Sequence, residues 1–168
     1  MKKLITIFLL FVIIDSNAQQ RMLDQIRNNL SEAERNLPEL QNNINTLSDI
    51  LQKARGPNDK EWIPKLNTRY AIPNKVTELG QIINALKNKI ENKNLQQIKQ
   101  SRKELEDLAR KALDIIIGKN NLQAGMKDVF TRRHNDLQIT PLRAANGKIS
   151  DLVINLKNVI ADLQSIQK

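Results

Sequence analysis

Apolar residues recur in steps of three and four over residues 23–54. This spacing places them on one narrow stripe of a helix, as in the seams of coiled coils, whereas no segment alternates with the period of two typical of a strand. Pro38 interrupts the repeat and predicts either a kink at Leu37 or a break between two nearly collinear helices. The stripe consists of Leu23, Ile26, Leu30, Ala33, Leu37, Leu40, Ile44, Leu47, Leu51 and Ala54.

A long connection follows this first repeat. Residues 55–73 begin with a Gly-Pro-Asn-Asp stop signal, contain three prolines and show no sustained apolar period. We expect an irregular crossover that packs onto the helices through Trp62, Ile63, Tyr70 and Ile72. A functional loop is the alternative, because connections of this length often carry function.

Two further helical patterns follow Pro73. The first runs from Val76 to Ile90 in steps of three and four, and its phase breaks at residues 92–94. Asn94 and Gln97 resemble a capping pair there, which predicts a turn, with one continuous helix over residues 74–117 as the alternative. The second pattern ends at Gly118, a residue type typical of a helix C-terminus.

The last third of the chain predicts a short helix and a long one. Residues 122–130, with Leu137 beyond them, form the short pattern, and a turn is expected at residues 138–140. Thr140 and Pro141 then predict an N-cap and a first helical position. The final stripe consists of Leu142, Ala145, Ile149, Leu152, Leu156, Val159, Leu163 and Ile166.

These patterns predict an all-α fold, an antiparallel bundle of four to five amphipathic helices with coiled-coil-like heptad seams. Because the two ends of the chain hold the most regular repeats, we expect the first and last helices to pack together or on shared neighbours.

The N-terminus has the layout of a secretory signal peptide. Lys2 and Lys3 precede an apolar run over residues 4–14, which is shorter than the roughly 20 residues that span a bilayer. Ser16 and Ala18 supply small residues at the −3 and −1 positions of a cut before Gln19. We expect residues 1–18 to be a signal peptide and residues 19–168 to be one exported domain, extracellular or, in a bacterium, periplasmic. An uncleaved anchor or a buried first helix is the alternative.

Composition restricts the chemistry. The 168 residues include no cysteine and one histidine, which excludes disulfides, thiolate metal sites and multi-histidine centres. His134 lacks a nucleophile motif nearby, and no phosphate-binding, zinc-protease or hydrolase motif is present. We therefore expect a protein that is not an enzyme, with no catalytic residue, no metal site and no cofactor.

The formal net charge of +9 is concentrated in residues 53–75, 87–103 and 119–133. If the long connection, the 92–94 turn and the fourth helix lie close together, these segments form one basic patch that attracts anionic lipid or sulfated glycan. Nucleic acid is disfavoured because aromatic residues do not interleave with the cations. An ordinary solvated lysine-rich surface is the alternative. The candidate interaction surface consists of Trp62, Tyr70, Lys87, Lys89, Lys93, Lys99, Arg102, Lys103, Arg132 and Arg133.

Two functions fit these features. The first is a secreted, non-enzymatic helical interaction protein that binds an unknown protein partner or self-associates, in a saliva, venom or effector-like setting. The second is an amphipathic bundle that binds lipid or anionic membranes, which basic helices favour but which the narrow apolar stripes and scarce aromatic residues disfavour.

Overall fold

A computed structural model describes the backbone of residues 2–53, 64–130 and 136–166, and the side chains of residues 17–53, 64–130 and 140–166. All regular structure within these ranges is helical, which confirms the prediction of an all-α protein. The helices are α1 (Lys2–Lys53), a π-helical turn (Lys65–Arg69), α2 (Ile72–Glu91), α3 (Leu95–Ile117), α4 (Leu122–Phe130) and α5 (Asp136–Ser165).

Helix α1 continues through Pro38 without a break. Proline removes one backbone hydrogen bond from a helix interior, so the loss has to be offset by packing. The residues on either side supply that packing, because Leu37 and Leu40 are both buried. The same helix includes residues 2–18, so the predicted cleavage site before Gln19 lies within α1, and the signal peptide stays a prediction.

The connection between α1 and α2 is more regular than predicted. Its described part forms a π-helical turn that buries Leu66, and Tyr70 is buried directly after the turn. Helix α2 begins at Ile72, one residue before Pro73, because a proline in the first turn removes no intrahelical hydrogen bond. Residues 54–63, with Trp62, lie outside the described residues.

The predicted turn at residues 92–94 is present. The Gln97 backbone N–H donates to Asn94 Oδ1, and the Asn94 N–H donates to Gln97 Oε1, both at 3.0 Å. This reciprocal capping box starts α3 at Leu95 and excludes one continuous helix over residues 74–117. Gly118 ends α3 as expected, and it is needed for space, since a Cβ there would lie 2.5 Å from the Asp114 carbonyl oxygen.

The predicted start of the last helix is wrong. Helix α5 begins at Asp136, so Leu137 belongs to α5 and residues 138–140 are helical rather than a turn. Pro141 therefore lies inside α5, where it removes one hydrogen bond close to the helix start. A Thr-Pro pair favours a helix start but does not require one, because a proline close to the start of a longer helix removes only one hydrogen bond.

The long helices form a bundle in which sequence neighbours are antiparallel. Lys87 of α2 pairs with Glu34 of α1, and Lys111 of α3 pairs with Glu78 of α2. Helix α1 makes its most extensive contacts with α5, so the first and last helices pack together as expected. Glu39 contacts Lys148 early in α5, whereas Asn28 lies beside Asn158 farther along it, so this pair is antiparallel too.

Helices α3 and α5 complete the arrangement. Arg102 near the start of α3 reaches Ile166 at the end of α5, so these helices also run in opposite directions. The order around the bundle is therefore α1, α2, α3, α5 and back to α1, with α4 at one end against α2, α3, α5 and the π-helical turn.

The core is aliphatic, as the composition requires. The apolar stripes of α1 and α5 are buried almost completely, and Tyr70 and Phe130 are the aromatic residues among the described core. Burying one such Leu or Ile side chain contributes roughly 1.5–3 kcal/mol, so these stripes supply most of the driving force for folding.

Candidate interaction surface

Two cations of the predicted surface are engaged in ion pairs between helices. Lys87 Nζ lies 2.5 Å from Glu34 Oε2 on α1, and Lys89 Nζ lies 2.8 Å from Glu104 Oε1 on α3. The hydrogen bond to Glu34 raises the pKa of Lys87, and the hydrogen bond from Lys89 lowers the pKa of Glu104. Both lysines therefore hold α2 against its neighbours.

Other cations satisfy backbone carbonyl groups that helix ends leave without partners. Arg102 Nη1 donates to the Ile166 carbonyl oxygen at 3.1 Å, beyond the C-terminus of α5. Arg27 Nη2 donates to the Lys93 carbonyl oxygen at 2.9 Å, just beyond α2, while Lys93 Nζ donates to Ser101 Oγ at 3.3 Å. A positive charge also suits the negative pole of a helix C-terminus. These residues therefore close one end of the bundle.

The remaining predicted residues divide into three groups. Lys99 is half-buried and Lys103 is exposed on α3. Tyr70 is buried, and its hydroxyl donates to Asp128 Oδ2 at 2.9 Å, which ties the crossover to α4. Trp62, Arg132 and Arg133 lie outside the described residues, as does His134.

Within the described residues, two of the three basic segments lie together, because Tyr70 contacts Asp128 and Lys75 contacts Asn120, whereas the third does not join them. The 92–94 turn lies beside Arg27 and, through Arg102, near the end of α5. The turn at residues 118–121, which connects α3 to α4, lies at the opposite end, where Lys75 Nζ donates to the carbonyl oxygens of Asn120 and Tyr70. The 20 residues of α2 separate these ends by about 30 Å. In the described parts of these segments, the 92–94 turn is therefore too far from the other two for a single basic patch.

A different surface stands out along the outside of α1 and α5, and we call it the outer face. Its α5 residues repeat in steps of four and three, on the side opposite the buried stripe. Its α1 residues follow the same spacing, and all nine residues are exposed. The outer face consists of Gln25, Asn28, Glu32 and Arg35 on α1 and Gly147, Asp151, Ile154, Asn158 and Ala161 on α5.

Ile154 is the distinctive residue of the outer face. Its side chain is 56% exposed, and the other exposed large hydrophobic residue in the described ranges is Ile117, at 39%. Gly147 and Ala161, one heptad away on each side, are small, so a second helix or strand can approach α5 closely around Ile154. The sequence already contained this signal, because Ile154 is an isoleucine out of phase with the buried stripe.

The outer face has three charged residues among its nine, Glu32, Arg35 and Asp151, so it lacks the excess of cations that gives the chain its net charge of +9. Its one cation, Arg35, lies 2.6 Å from Glu32 and neutralises it. At its edge, Lys148 lies 2.6 Å from Glu39 and donates to Asn36 Oδ1 at 3.1 Å. Amides therefore provide much of its hydrogen-bonding capacity, with donors and acceptors side by side.

Shallow grooves follow α5 on both sides. A groove of about 360 Å³ contains Asn28, Asn29, Asn158 and Asp162 between α1 and α5. Burial in this groove raises the pKa of Asp162. A second groove of about 550 Å³, between α4 and α5, contains Asn121, Lys127, Asn146 and Ser150 among its lining residues.

Neither metal ligation nor a membrane span is found in the part of the chain that the structure describes. No three His, Asp or Glu side chains in those ranges are grouped to hold a metal ion. None of the helices there contains a stretch with the length and hydropathy needed to cross a bilayer.

Comparison of the chain with protein-family models, with curated proteins and with solved structures finds no match.

Proposed function

We propose that this protein is a secreted, non-enzymatic helical interaction protein that binds another protein chain through the outer face of α1 and α5. The observation that carries the proposal is the 56% exposure of Ile154 in the middle of a regular helix face that has no excess of cations. Secretion rests on the predicted signal peptide, and the compartment is extracellular, or periplasmic in a bacterium.

The composition of the outer face supports a protein as the partner. Its one cation and two anions give the outer face a slightly negative charge within a strongly basic chain, so it does not attract polyanions such as anionic lipid, and Ile154 supplies an apolar group of the kind that protein interfaces bury. An exposed aliphatic side chain contributes binding energy when a partner covers it, at roughly 25 cal/mol per Å² of apolar area. The surrounding amides can satisfy backbone or side-chain groups of either polarity on the partner.

We also propose that the apolar repeats pack as coiled-coil-like seams. Burial of the α1 and α5 stripes at steps of three and four supports this packing. The absence of cysteine from the chain permits a clean test. Cysteines introduced together at Asn36 and Lys148 should be joined within one chain by a short bismaleimide reagent. The pair Asn36 and Lys103 should not be joined, and equal yields from both pairs would contradict the seam between α1 and α5.

Binding through the outer face can be tested with two exposed isoleucines as a matched pair. A photo-crosslinking amino acid is placed at Ile154 or, as a control on α3, at Ile117, in the chain expressed by its own cells. We expect a discrete protein adduct from position 154 and none from position 117, with mass spectrometry identifying either a partner or a second copy. Equal adducts from both positions, or no adduct from position 154, would overturn the proposal.

Affinity provides a second measurement once the adduct is identified. Ile154→Ser should weaken the complex by about tenfold or more, as for a residue at the centre of an interface. Ile117→Ser should leave the affinity unchanged. Sedimentation of each variant over a range of concentrations gives the same comparison where the partner is a second copy.

Flotation with liposomes separates this proposal from lipid binding. Neutral and anionic vesicles are mixed with the purified chain at physiological salt, and we expect no flotation with either kind. Flotation with both kinds would favour a bundle that opens on lipid. Flotation with anionic vesicles alone, lost at high salt, would indicate attraction of the exposed lysines to the surface.

A further inference from the structure

Cleavage at the predicted site would leave Gln19 as the first residue of the exported chain. Ser16 and Ala18 precede it at the positions that a signal peptidase reads. Gln19 lies inside α1, four residues before the buried Leu23, and its own side chain is 5% exposed. That burial is seen with residues 2–18 preceding Gln19 in the same helix, so cleavage would place Gln19 in the first turn of α1 and uncover its side chain.

A charged amino terminus is poorly suited to this position. The N-terminal end of a helix carries a partial positive charge, so an α-ammonium group there is destabilising. Arg21 follows two residues later, and the chain as a whole carries an excess of cations, which disfavours a further positive charge. Loss of the α-ammonium charge would relieve both effects.

We propose that Gln19 is a modification site, where the new amino terminus closes on its own side chain to form pyroglutamate. The uncharged α-amino nitrogen attacks the side-chain carbon Cδ, and a new C–N bond closes a five-membered lactam. The bond from Cδ to the side-chain nitrogen breaks, and that nitrogen leaves as ammonia with the proton lost by the α-nitrogen. The step needs no oxidant, reductant or second substrate.

The lactam changes the chain in two ways. It is neutral, so the positive charge at the start of α1 is lost. It also has no primary amine, so aminopeptidases that require one cannot remove residues from this end. The inference rests on the secretion in the proposed function, since Gln19 becomes a terminus only after the leader is removed.

The test expresses the full chain, with its own leader, in a secreting host. The secreted protein is incubated at neutral pH, and its intact mass and the peptide released by cleavage before Asp24 are measured. Gln19→Asn is the matched control, because asparagine keeps the side-chain amide but would need a strained four-membered ring. We expect the wild-type peptide to begin at residue 19, to be lighter by one ammonia and to resist amine labelling. The Asn variant should keep its full mass and be labelled.

The outcomes separate the two proposals. A wild-type chain that begins at residue 19 and keeps a reactive amine would overturn the cyclisation and leave secretion intact. A secreted chain that begins at another residue would overturn the cyclisation and the cleavage site together. A chain that stays in the cell with residues 1–18 attached would also overturn the secreted function.

Discussion

Gly125 provides the sharpest test of the packing at the α4 end of the bundle. It is buried on α4 against the crossover, and a Cβ added there would lie 2.9 Å from Tyr70 Cβ and 3.2 Å from Ile72 Cδ1. Tyr70 Cβ is attached directly to the backbone, and the tyrosine hydroxyl is fixed by its hydrogen bond to Asp128. The Tyr70 side chain therefore cannot move away from an added Cβ without a shift of the backbone.

The magnitude follows from two opposing effects. Overpacking a well-filled site typically costs about 1–3 kcal/mol, and a contact with an atom next to the backbone belongs in the upper part of that range. Replacing glycine by alanine in a helix returns up to about 1 kcal/mol. Gly125→Ala should therefore lower the free energy of unfolding by roughly 1–2 kcal/mol.

Gly80→Ala is the matched control. Gly80 lies inside the longer helix α2 and faces α1, and its Cβ would lie 3.7 Å from Leu37 Cδ1, an ordinary contact. This variant should gain about 1 kcal/mol from helix propensity alone. The two variants should therefore differ by roughly 2–3 kcal/mol, or about 5–10 °C in Tm.

Urea unfolding followed by circular dichroism measures both variants at protein concentrations low enough to exclude association. The difference between their midpoints, at equal m-values, gives the difference in the free energy of unfolding. If Gly125→Ala proves as stable as Gly80→Ala, the close approach of α4 to Tyr70 is wrong, and so is the reasoning built on it.

Three further predictions concern single contacts. Asn94→Ala should lower the free energy of unfolding by about 1 kcal/mol in urea titrations by removing the α3 cap, whereas Asn88→Ala, at an exposed interior position, should raise it slightly. Equal effects would contradict the capping role. Tyr70→Phe removes the hydrogen bond to Asp128 and should cost about 1–2 kcal/mol by the same assay, and an unchanged midpoint would refute this. Burial raises the pKa of Asp162 above its ordinary 3.8, so its contribution is most favourable below that pH and declines as the pH rises through the folded-state pKa. Asp162→Asn should therefore be stabilising at pH 7, with a benefit that disappears at pH 3, and a benefit independent of pH would contradict the assignment.

Local sequence signals determined the helices and some of their ends. The three-and-four spacing of apolar residues predicted helix throughout and identified the buried stripes, because a residue's place on a helix depends only on its position in the repeat. Asn94 and Gln97 predicted the start of α3, since a capping box is closed by residues three apart. The same reasoning failed at Thr140 and Pro141, where α5 begins at Asp136. A local preference of about 1 kcal/mol at a cap can be outweighed by packing along a helix of 30 residues.

Only the tertiary structure decided which surfaces lie together. The basic segments are close in sequence to turns, but the direction of each helix places the 92–94 turn at one end of the bundle and the described parts of the other two segments at the opposite end. Lys87, Lys89 and Arg102 contact groups on other helices, because the packing of the helices brings those groups beside them. The exposure of Ile154 and the tight space at Gly125 likewise depend on which helix packs against which, because apolar spacing fixes the side of a helix that is buried but not the neighbour that covers it.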